Sequence, residues 1–332
     1  MVDLAHIAHT LLAPGKGLLA ADESNESADS KRLANHGIAT GPEMHQEFRD
    51  MLLAAPGIEQ YLTGVILYEE TLTQADNDGE PFASMLASRA IIPGIKVDQG
   101  LDPFPGSPSE TITKGLINLS ERLALYKGKY GTGFTKWRAA IKIDGTKLPT
   151  RQALLENAKR LATYACEVQK AGMVPIVEPE VLLEGPHSRM RAKEVLAETY
   201  QMLFTALADQ AVALDGLILK TSMALSGSTS GKTDTPEEVA HDTMEVLMAN
   251  VPADVAGVVF LSGGQTPDQA TENLAAITTR AKELGAPWPL TFSYARALQE
   301  EALVAWGGKP ENVDAARAAF LARLQKVSAA LG

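Results

Sequence analysis

Short apolar runs alternate with amphipathic segments along most of this chain. Eight runs rich in valine, isoleucine and leucine are typical of strands that are buried on both faces of a parallel sheet. A helix is predicted before the first run, ending at Pro14-Gly15. The predicted strands span residues 17–22, 63–69, 91–98, 139–144, 173–178, 214–220, 257–263 and 290–294.

The intervening segments have helical spacing and helical start signals. After Thr150, apolar residues recur every three or four positions up to a stop at Gly172. Thr235 and Thr266 each precede a proline and, three residues on, a Glu or Gln, which predicts capping boxes.

Eight strand–helix units in 332 residues predict a closed (β/α)8 TIM barrel with an extra N-terminal helix and an extra C-terminal helix. We expect a single domain over residues 1–332, because no low-complexity linker divides the chain. An open doubly wound sheet is the alternative, since periodicity alone does not prove that a barrel closes.

Composition narrows the possible partners and compartments. The 30 basic and 41 acidic residues give a net charge of −11, which argues against a nucleic-acid partner. The one cysteine, Cys166, excludes an intrachain disulfide and any site with several cysteine ligands. No basic leader and no apolar run of about 20 residues is present. We therefore expect a cytoplasmic protein with no membrane partner.

Polar side chains end nearly every predicted strand, which is where TIM barrels carry their catalytic groups. Contact with water explains any one of them, but it explains poorly why lysines follow apolar runs. These strand-end residues are Asp22, Glu69, Lys96, Asp98, Lys142, Asp144, Glu178, Glu180, Lys220, Ser262, Ser293 and Arg296.

Lys220, which follows Leu217-Ile218-Leu219, is the sharpest case. Apolar walls and neighbouring cations are expected to lower the pKa of its ammonium, and a neutral amine forms a Schiff base with a carbonyl. Glu178 and Glu180 are two residues apart and should share a face, so repulsion is expected to raise the pKa of one of them. This combination predicts carbon–carbon bond chemistry.

Two groups of residues favour phosphate binding. The turn Ser262-Gly263-Gly264 follows the seventh strand, where barrels often hold a phosphate, and Arg296 could add a bidentate contact. Ser24 and Ser27 could hold a second phosphate, with Lys96 opposite. Cations gathered at one end of an acidic protein would attract an anionic sugar phosphate.

Three motif-like segments predict no cofactor or metal site. Residues 15–20 match the dinucleotide fingerprint but precede a strand instead of following one. Residues 227–233 resemble a P-loop, but the glycines are one residue too close, which predicts a surface loop. His6 and His9 share a helix face and are expected to be surface positions, so zinc chemistry finds no support.

Taken together, the motifs resemble those of the class I (Schiff-base) fructose-bisphosphate aldolases over nearly the whole chain. The matching strings are GKGLLAADES (15–24), GVILYEET (64–71), GIKVD (94–98), KWR (136–138), VPIVEPE (174–180), FLSGGQ (260–265), LTFSYAR (290–296) and AWGGK (305–309).

The resemblance implies reversible, metal-independent and cofactor-free cleavage of fructose 1,6-bisphosphate into dihydroxyacetone phosphate and glyceraldehyde 3-phosphate, by a homotetramer. It implies that Lys220 forms the imine, that Glu178 is the acid/base, and that Glu180 is its neighbour. It implies that Asp22 stands beside the imine and that Lys136 supports charge and proton transfer; the strand-end pattern had favoured Lys142 over Lys136. The resemblance implies that Ser262, Gly263 and Arg296 contact the C1 phosphate, and that Ser24, Ser27 and Lys96 contact the C6 phosphate, with Arg32 near them. Ser293 and Arg138 are the other implied substrate-binding residues.

The chain departs from the family pattern at a few positions. Thr221 stands where animal members have proline, Asn25-Glu26 replaces Thr-Gly, and Ala295 replaces a glycine. The sequence ends at Leu331-Gly332 and lacks the C-terminal tyrosine that assists proton exchange in animal members, so we expect another group or water to take that step.

Two other functions stay open. A Schiff-base aldolase could prefer another ketose phosphate, such as fructose 1-phosphate or sedoheptulose 1,7-bisphosphate. A catalytically silent barrel could act as an interaction protein, although the presence of Asp22, Lys136, Glu178 and Lys220 together argues against it.

Overall fold

A computed structural model describes residues 3–332 and contains a closed barrel of eight parallel strands, which confirms the predicted fold. The strand order around the barrel is β1-β10-β9-β8-β7-β6-β3-β2, and β4 pairs with β5 as a separate antiparallel hairpin. The strands are β1 (Gly17–Ala21), β2 (Leu62–Leu67), β3 (Ile92–Lys96), β4 (Leu101–Phe104), β5 (Ser107–Thr113), β6 (Phe134–Ile141), β7 (Val174–Val181), β8 (Ile218–Thr221), β9 (Gly257–Phe260) and β10 (Leu290–Tyr294).

Helices follow the barrel strands, and the extra N-terminal and C-terminal helices are both present. Thr235 forms a complete capping box with Glu238, whereas the Thr266 hydroxyl accepts from Gln269 N–H, which is one half of that motif. The helices are α1 (Leu4–Leu11), α2 (Asn25–Ala28), α3 (Pro42–Leu53), α4 (Glu69–Thr73), α5 (Phe82–Ser88), α6 (Leu119–Tyr130), α7 (Arg151–Lys170), α8 (Arg189–Asp209), α9 (Pro236–Asn250), α10 (Pro267–Leu284), α11 (Arg296–Trp306) and α12 (Val313–Ala329).

Helix α1 packs against the apolar residues inside the barrel. Leu11 and Leu12 are buried in the same cluster as the inward-facing residues of the strands. Glycine is needed where they approach the sheet, since a Cβ on Gly257 would lie 2.5 Å from Leu12 Cδ1 and one on Gly64 would lie 2.8 Å from Leu11 Cδ2.

Alternate strand residues face the barrel interior, and their character changes along the strands. The apolar interior positions are Leu18, Ala20, Ile66, Phe134, Val174, Ile176, Ile218 and Val259. Toward the carboxyl ends, the next positions of the same parity are charged or hydroxylic in β1, β2, β6, β7 and β8, whereas Leu261 follows Val259 after β9. This carboxyl-end opening of the barrel is called the mouth below.

Several predicted boundaries were wrong, and the fourth strand matters most. It begins at Phe134, five residues before the predicted start at 139. The prediction was wrong because Lys136 and Arg138 lie within the strand and interrupt the apolar pattern. Lys142 therefore follows the strand and is exposed. The sixth predicted strand, 214–220, is shorter than predicted, because Leu214–Gly216 forms a 3-10 turn before β8. The segment between β3 and β6 contains the β4–β5 hairpin in addition to helix α6.

The motif-like segments have the structures expected of them. Residues 227–233 form a loop, and His6 and His9 are exposed on α1. Within residues 3–332, one group of side chains has metal-ligand spacing, His241, Asp242 and Glu245 on α9, but Asp242 is already paired with Arg189 and Lys193. No helix in this part of the chain combines the length and apolarity needed to cross a membrane.

Candidate active site

Four charged residues meet inside the mouth, and we call Asp22, Lys136, Glu178 and Lys220 the ion cluster. Lys220 Nζ lies 3.1 Å from Glu178 Oε1, and Lys136 Nζ lies 3.0 Å from Glu178 Oε2. Lys136 Nζ also lies 2.6 Å from Asp22 Oδ2, which extends the cluster to the end of β1. The side chains of Lys136, Glu178 and Lys220 are each at most 5% exposed, so these charges interact with little screening by water.

The register of the sheet explains how these residues meet. Lys136 on β6 pairs with Ile176 on β7, so Glu178, two residues further along, faces the same interior. Ile176 in turn pairs with Ile218, which places Lys220 beside Glu178.

Electrostatics fix the charge of three members of the cluster. Burial raises the pKa of Asp22 and of Glu178, but the charges of Lys136 and Lys220 outweigh it, so the pKa of both carboxyls lies below its ordinary value. Burial likewise lowers the pKa of Lys136, but Asp22 and Glu178 outweigh it and raise that pKa. Lys136 is therefore a cation held between two carboxylates.

The expected rise in a glutamate pKa is wrong for Glu178. Glu178 and Glu180 are both on β7, but each has its own cation: Glu178 contacts two lysines, while Glu180 accepts a hydrogen bond from Arg138 Nε. The charges of Lys136 and Lys220 outweigh burial and the repulsion from Asp22 and lower the pKa of Glu178, so Glu178 is a carboxylate that can accept a proton.

The residues predicted around a C6 phosphate lie after β1 and on β3. Ser24 caps α2, its hydroxyl accepting from the N–H of Ser27 at 3.3 Å. Arg32 Nε lies 2.8 Å from Glu23 Oε1, and Lys96 Nζ lies 2.6 Å from Asp98 Oδ1. Both predicted phosphate-binding cations are thus paired with carboxylates of the chain itself.

The residues predicted around a C1 phosphate follow β9 and β10. Gly263 and Gly264 have φ of +57° and +100°, left-handed values that glycine adopts readily. A Cβ on Gly264 would lie 3.4 Å from Arg296 Nη2, so the exposed guanidinium borders this turn. Ala295 has φ of −103°, so the alanine that replaces glycine there lies outside the left-handed region that favours glycine.

Two polar atoms inside the mouth are buried without a hydrogen-bond partner among residues 3–332. One is Ser293 Oγ on β10, and the other is Glu178 Oε2, which contacts Lys136 as an ion pair without hydrogen-bond geometry. Buried polar atoms are rarely left unpaired. Ser293 Oγ is therefore a candidate contact for a substrate, whereas Glu178 Oε2 already has the Lys136 ammonium beside it.

The structure also shows residues that sequence reasoning did not assign to the site. Buried Asp98 holds Lys96 and accepts from Arg138 N–H at 3.2 Å, and its position at a strand end was a signal for it. Gln265 donates from its side chain to Ser262 O at 2.9 Å and so braces the glycine turn. Glu69, by contrast, accepts a hydrogen bond from Tyr126 on α6.

A hydrogen bond between two hydroxyls joins β8 to α8 at the residue that follows Lys220. Thr221, next to it on β8, lies 2.7 Å through its Oγ1 from Tyr200 OH on α8, and both side chains are fully buried. No sequence signal links these two residues, because the contact joins a helix to a strand 21 residues later.

Comparisons with known proteins agree on one family. The glycolytic family model "Fructose-bisphosphate aldolase class-I" matches residues 3–332. Fructose-bisphosphate aldolase of Drosophila melanogaster is 46% identical over 322 residues, 97% of this chain and 88% of its own; fructose-bisphosphate aldolase 2 of Caenorhabditis elegans is 44% identical over 321 residues, 97% and 86%. A solved structure of fructose-bisphosphate aldolase from Plasmodium falciparum, in complex with TRAP and a small-molecule inhibitor, superposes with a TM-score of 0.95 at 41% identity and covers 99% of this chain and 93% of that one.

Proposed function

Because the chain belongs to the class I fructose-bisphosphate aldolase family, as its motifs indicated, we propose that it cleaves fructose 1,6-bisphosphate through an imine on Lys220. The observation that carries this proposal is the contact of Lys220 Nζ with Glu178 Oε1 at 3.1 Å inside a buried ion cluster. Cleavage through an imine needs an amine to attack the substrate carbonyl and a nearby group to accept and return protons. Lys220 and Glu178 are adjacent and can supply these two groups.

The first step is capture of the C2 carbonyl by Lys220. The amine must be uncharged to attack, and Glu178 Oε1 is positioned to accept its proton. Glu178 returns this proton to the departing hydroxyl, so loss of water from the carbinolamine leaves a protonated imine and restores the Glu178 carboxylate. Lys136, held as a cation beside Glu178 and Asp22, stabilises the negative charge that moves through the cluster.

The second step breaks the C3–C4 bond. Glu178, a carboxylate because its pKa is lowered, removes the proton of the C4 hydroxyl. The C4 oxygen forms the aldehyde of glyceraldehyde 3-phosphate, and the C3–C4 electron pair moves into the iminium to give an enamine on Lys220. Protonation of C3 and hydrolysis of the imine then release dihydroxyacetone phosphate and restore the amine.

Two clusters at the mouth support binding of a phosphate at each end of the substrate. Ser262, Gly263 and Arg296 follow β9 and β10 and are proposed to hold the C1 phosphate, with Ser293 nearby. Ser24, Ser27, Arg32 and Lys96 follow β1 or end β3 and are proposed to hold the C6 phosphate. Arg138 and Glu180, paired beside the ion cluster, complete the proposed lining of the site.

A comparison of ketose phosphates tests this assignment. Wild-type protein in excess EDTA is expected to cleave fructose 1,6-bisphosphate, with a higher kcat/KM than for fructose 1-phosphate, because only the bisphosphate uses the second cluster. Sedoheptulose 1,7-bisphosphate is included as a competing substrate. Absence of turnover with all three, or activity abolished by EDTA, contradicts the proposal.

We also propose that the enzyme works in the cytoplasm as a homotetramer, as the family resemblance implies. The chain's single cysteine fits a reducing compartment. Light scattering at micromolar concentration is expected to give four times the mass of one chain, and a monomer mass would contradict the assembly.

A further inference from the structure

The short helix α2 carries residues that we assign to the C6 phosphate, although it has only four residues. Its four residues follow the cap Ser24 and include Ser27, and the π-helical turn Asp29–Leu33 that continues it contains Arg32. A helix of one turn is not stable by itself. Contacts outside it must therefore set the position of three residues that we assign to the C6 phosphate.

Glu70, in the first turn of α4, fixes the start of α2. Its Oε1 accepts a hydrogen bond from Asn25 Nδ2 at 3.1 Å. Its Oε2 lies 3.0 Å from Nδ1 of His45 on α3 and also accepts from Arg49 Nη1. Glu70 thus joins α2 to α3, and it does so from the element that directly follows β2.

His45 fixes the other end of α2. Its Nε2 lies 2.7 Å from Oδ1 of Asp29, which also accepts from Gly41 N–H at 3.1 Å. The hydrogen bonds from His45 and Gly41 lower the pKa of Asp29, so that carboxyl is ionised. Both ring nitrogens of His45, which is 2% exposed, lie within hydrogen-bond distance of carboxylate oxygens.

These hydrogen bonds link Asn25 to Glu70, Glu70 to His45 and His45 to Asp29. We call these four residues the brace. Asn25 is the first residue of α2 and is held by Glu70, while Asp29 directly follows its last residue and is held by His45, whose ring also contacts Glu70. Arg32 lies in the π turn, and its Nε donates to Glu23 Oε1 at 2.8 Å.

We propose that the brace is a specificity device that positions Ser24, Ser27 and Arg32 for the C6 phosphate and so favours a ketose bisphosphate over a ketose carrying only the C1 phosphate. This inference rests on the proposed function. The members of the brace are positioning residues, since they act through α2 and its π turn.

Substitutions at exposed Asn25 test the brace with little risk to folding. Asn25→Ala removes the link to Glu70, and Asn25→Asp keeps the shape but sets a carboxylate against Glu70. We expect kcat/KM for fructose 1,6-bisphosphate to fall about 3- to 10-fold in the first, the worth of one hydrogen bond, and further in the second. The fall should come from KM, with fructose 1-phosphate kinetics unchanged.

Two further variants complete the design. His45→Gln weakens the contact with Asp29 at the other end of α2. It should also lower kcat/KM for fructose 1,6-bisphosphate without changing that for fructose 1-phosphate. Gln201→Ala is the matched control, because Gln201 is also an exposed amide donating to a side-chain oxygen, that of Asn250 at 3.0 Å, at another surface. It should leave both substrates unaffected.

Trapping separates this inference from the function on which it rests. Dihydroxyacetone phosphate lacks a C6 phosphate, so its borohydride-trapped adduct should form equally in wild type and both Asn25 variants. Equal losses for both ketoses, or unchanged kinetics in the Asn25 variants, would overturn the brace while leaving the aldolase intact. A wild-type protein that cleaves neither ketose and traps no adduct would overturn the function itself.

Discussion

The two halves of the barrel interior are built on the same strands but differ completely in chemistry. In the half nearer α1, inward positions hold apolar side chains such as Phe134, Ile176 and Ile218. Two residues further along the same strands, the same interior holds Lys136, Glu178 and Lys220. Because side chains alternate between the two faces of a strand, the apolar and the charged interior positions are only two residues apart.

This contrast shows how one fold divides stability from function. Burying a large apolar side chain stabilises the fold by roughly 1.5–3 kcal/mol. Buried ion pairs contribute little net stability, because desolvation offsets their attraction. The apolar half should thus govern unfolding and the ion cluster should govern turnover, and substitutions in each half can separate the two.

The largest expected effect is that of Lys220→Met. Removing the nucleophile of a covalent mechanism lowers kcat on the order of 10^5-fold or more. The fold should persist, because Glu178 keeps Lys136 as a partner at 3.0 Å. Steady-state turnover of fructose 1,6-bisphosphate, with circular dichroism as the folding control, measures this. Residual activity within tenfold of wild type would refute the role of Lys220.

Glu178→Gln should cost less. A general base contributes about 10²- to 10⁴-fold, and the amide cannot accept the C4 hydroxyl proton. The decisive readout is cleavage of fructose 1,6-bisphosphate against trapping of dihydroxyacetone phosphate, which needs no C3–C4 cleavage. Trapping should fall too, since Glu178 also takes the Lys220 proton during imine formation, but cleavage should fall further because it uses Glu178 a second time. A proportional loss of both would show that Glu178 acts in imine formation and not in breaking the C3–C4 bond.

Phe134→Ala tests the apolar half. Its ring fills the space beside Gly94, where a Cβ would approach within 2.3 Å of it, so truncation leaves a cavity. We expect the free energy of unfolding to fall by about 3–5 kcal/mol, measured by urea denaturation, with kcat per folded molecule close to wild type. A stable variant with lost activity would contradict the division between the two halves.

The smallest effect is a pH dependence. Because the folded pKa of Asp22 is lowered, its ionised form contributes stability that is fully present above the unfolded pKa of about 3.9 and is lost as pH falls through the folded pKa. The difference in urea midpoint between wild type and Asp22→Asn should therefore be constant from pH 5 to 7 and change as pH drops below about 4. A difference independent of pH down to 3 would contradict the ion pair with Lys136.

Local patterns predicted the architecture better than the site. The apolar runs identified the barrel, and Lys220 stood out because it ends an apolar run. Lys136 was found only through the family resemblance, since the inward cations of β6 break the pattern that reveals strands. The lowered pKa of Glu178 was not predictable, because it depends on Lys136 and Lys220 from the two neighbouring strands. The brace joins residues 16 to 45 positions apart, so no local signal identifies it.

Borohydride reduction in the presence of dihydroxyacetone phosphate, followed by peptide mapping, shows directly whether Lys220 forms the imine. We expect one adduct per chain, located on Lys220, formed equally with and without EDTA, and absent from Lys220→Met. An adduct on Lys136 or Lys96 instead, or undiminished cleavage of fructose 1,6-bisphosphate with no adduct on any lysine, would contradict this expectation.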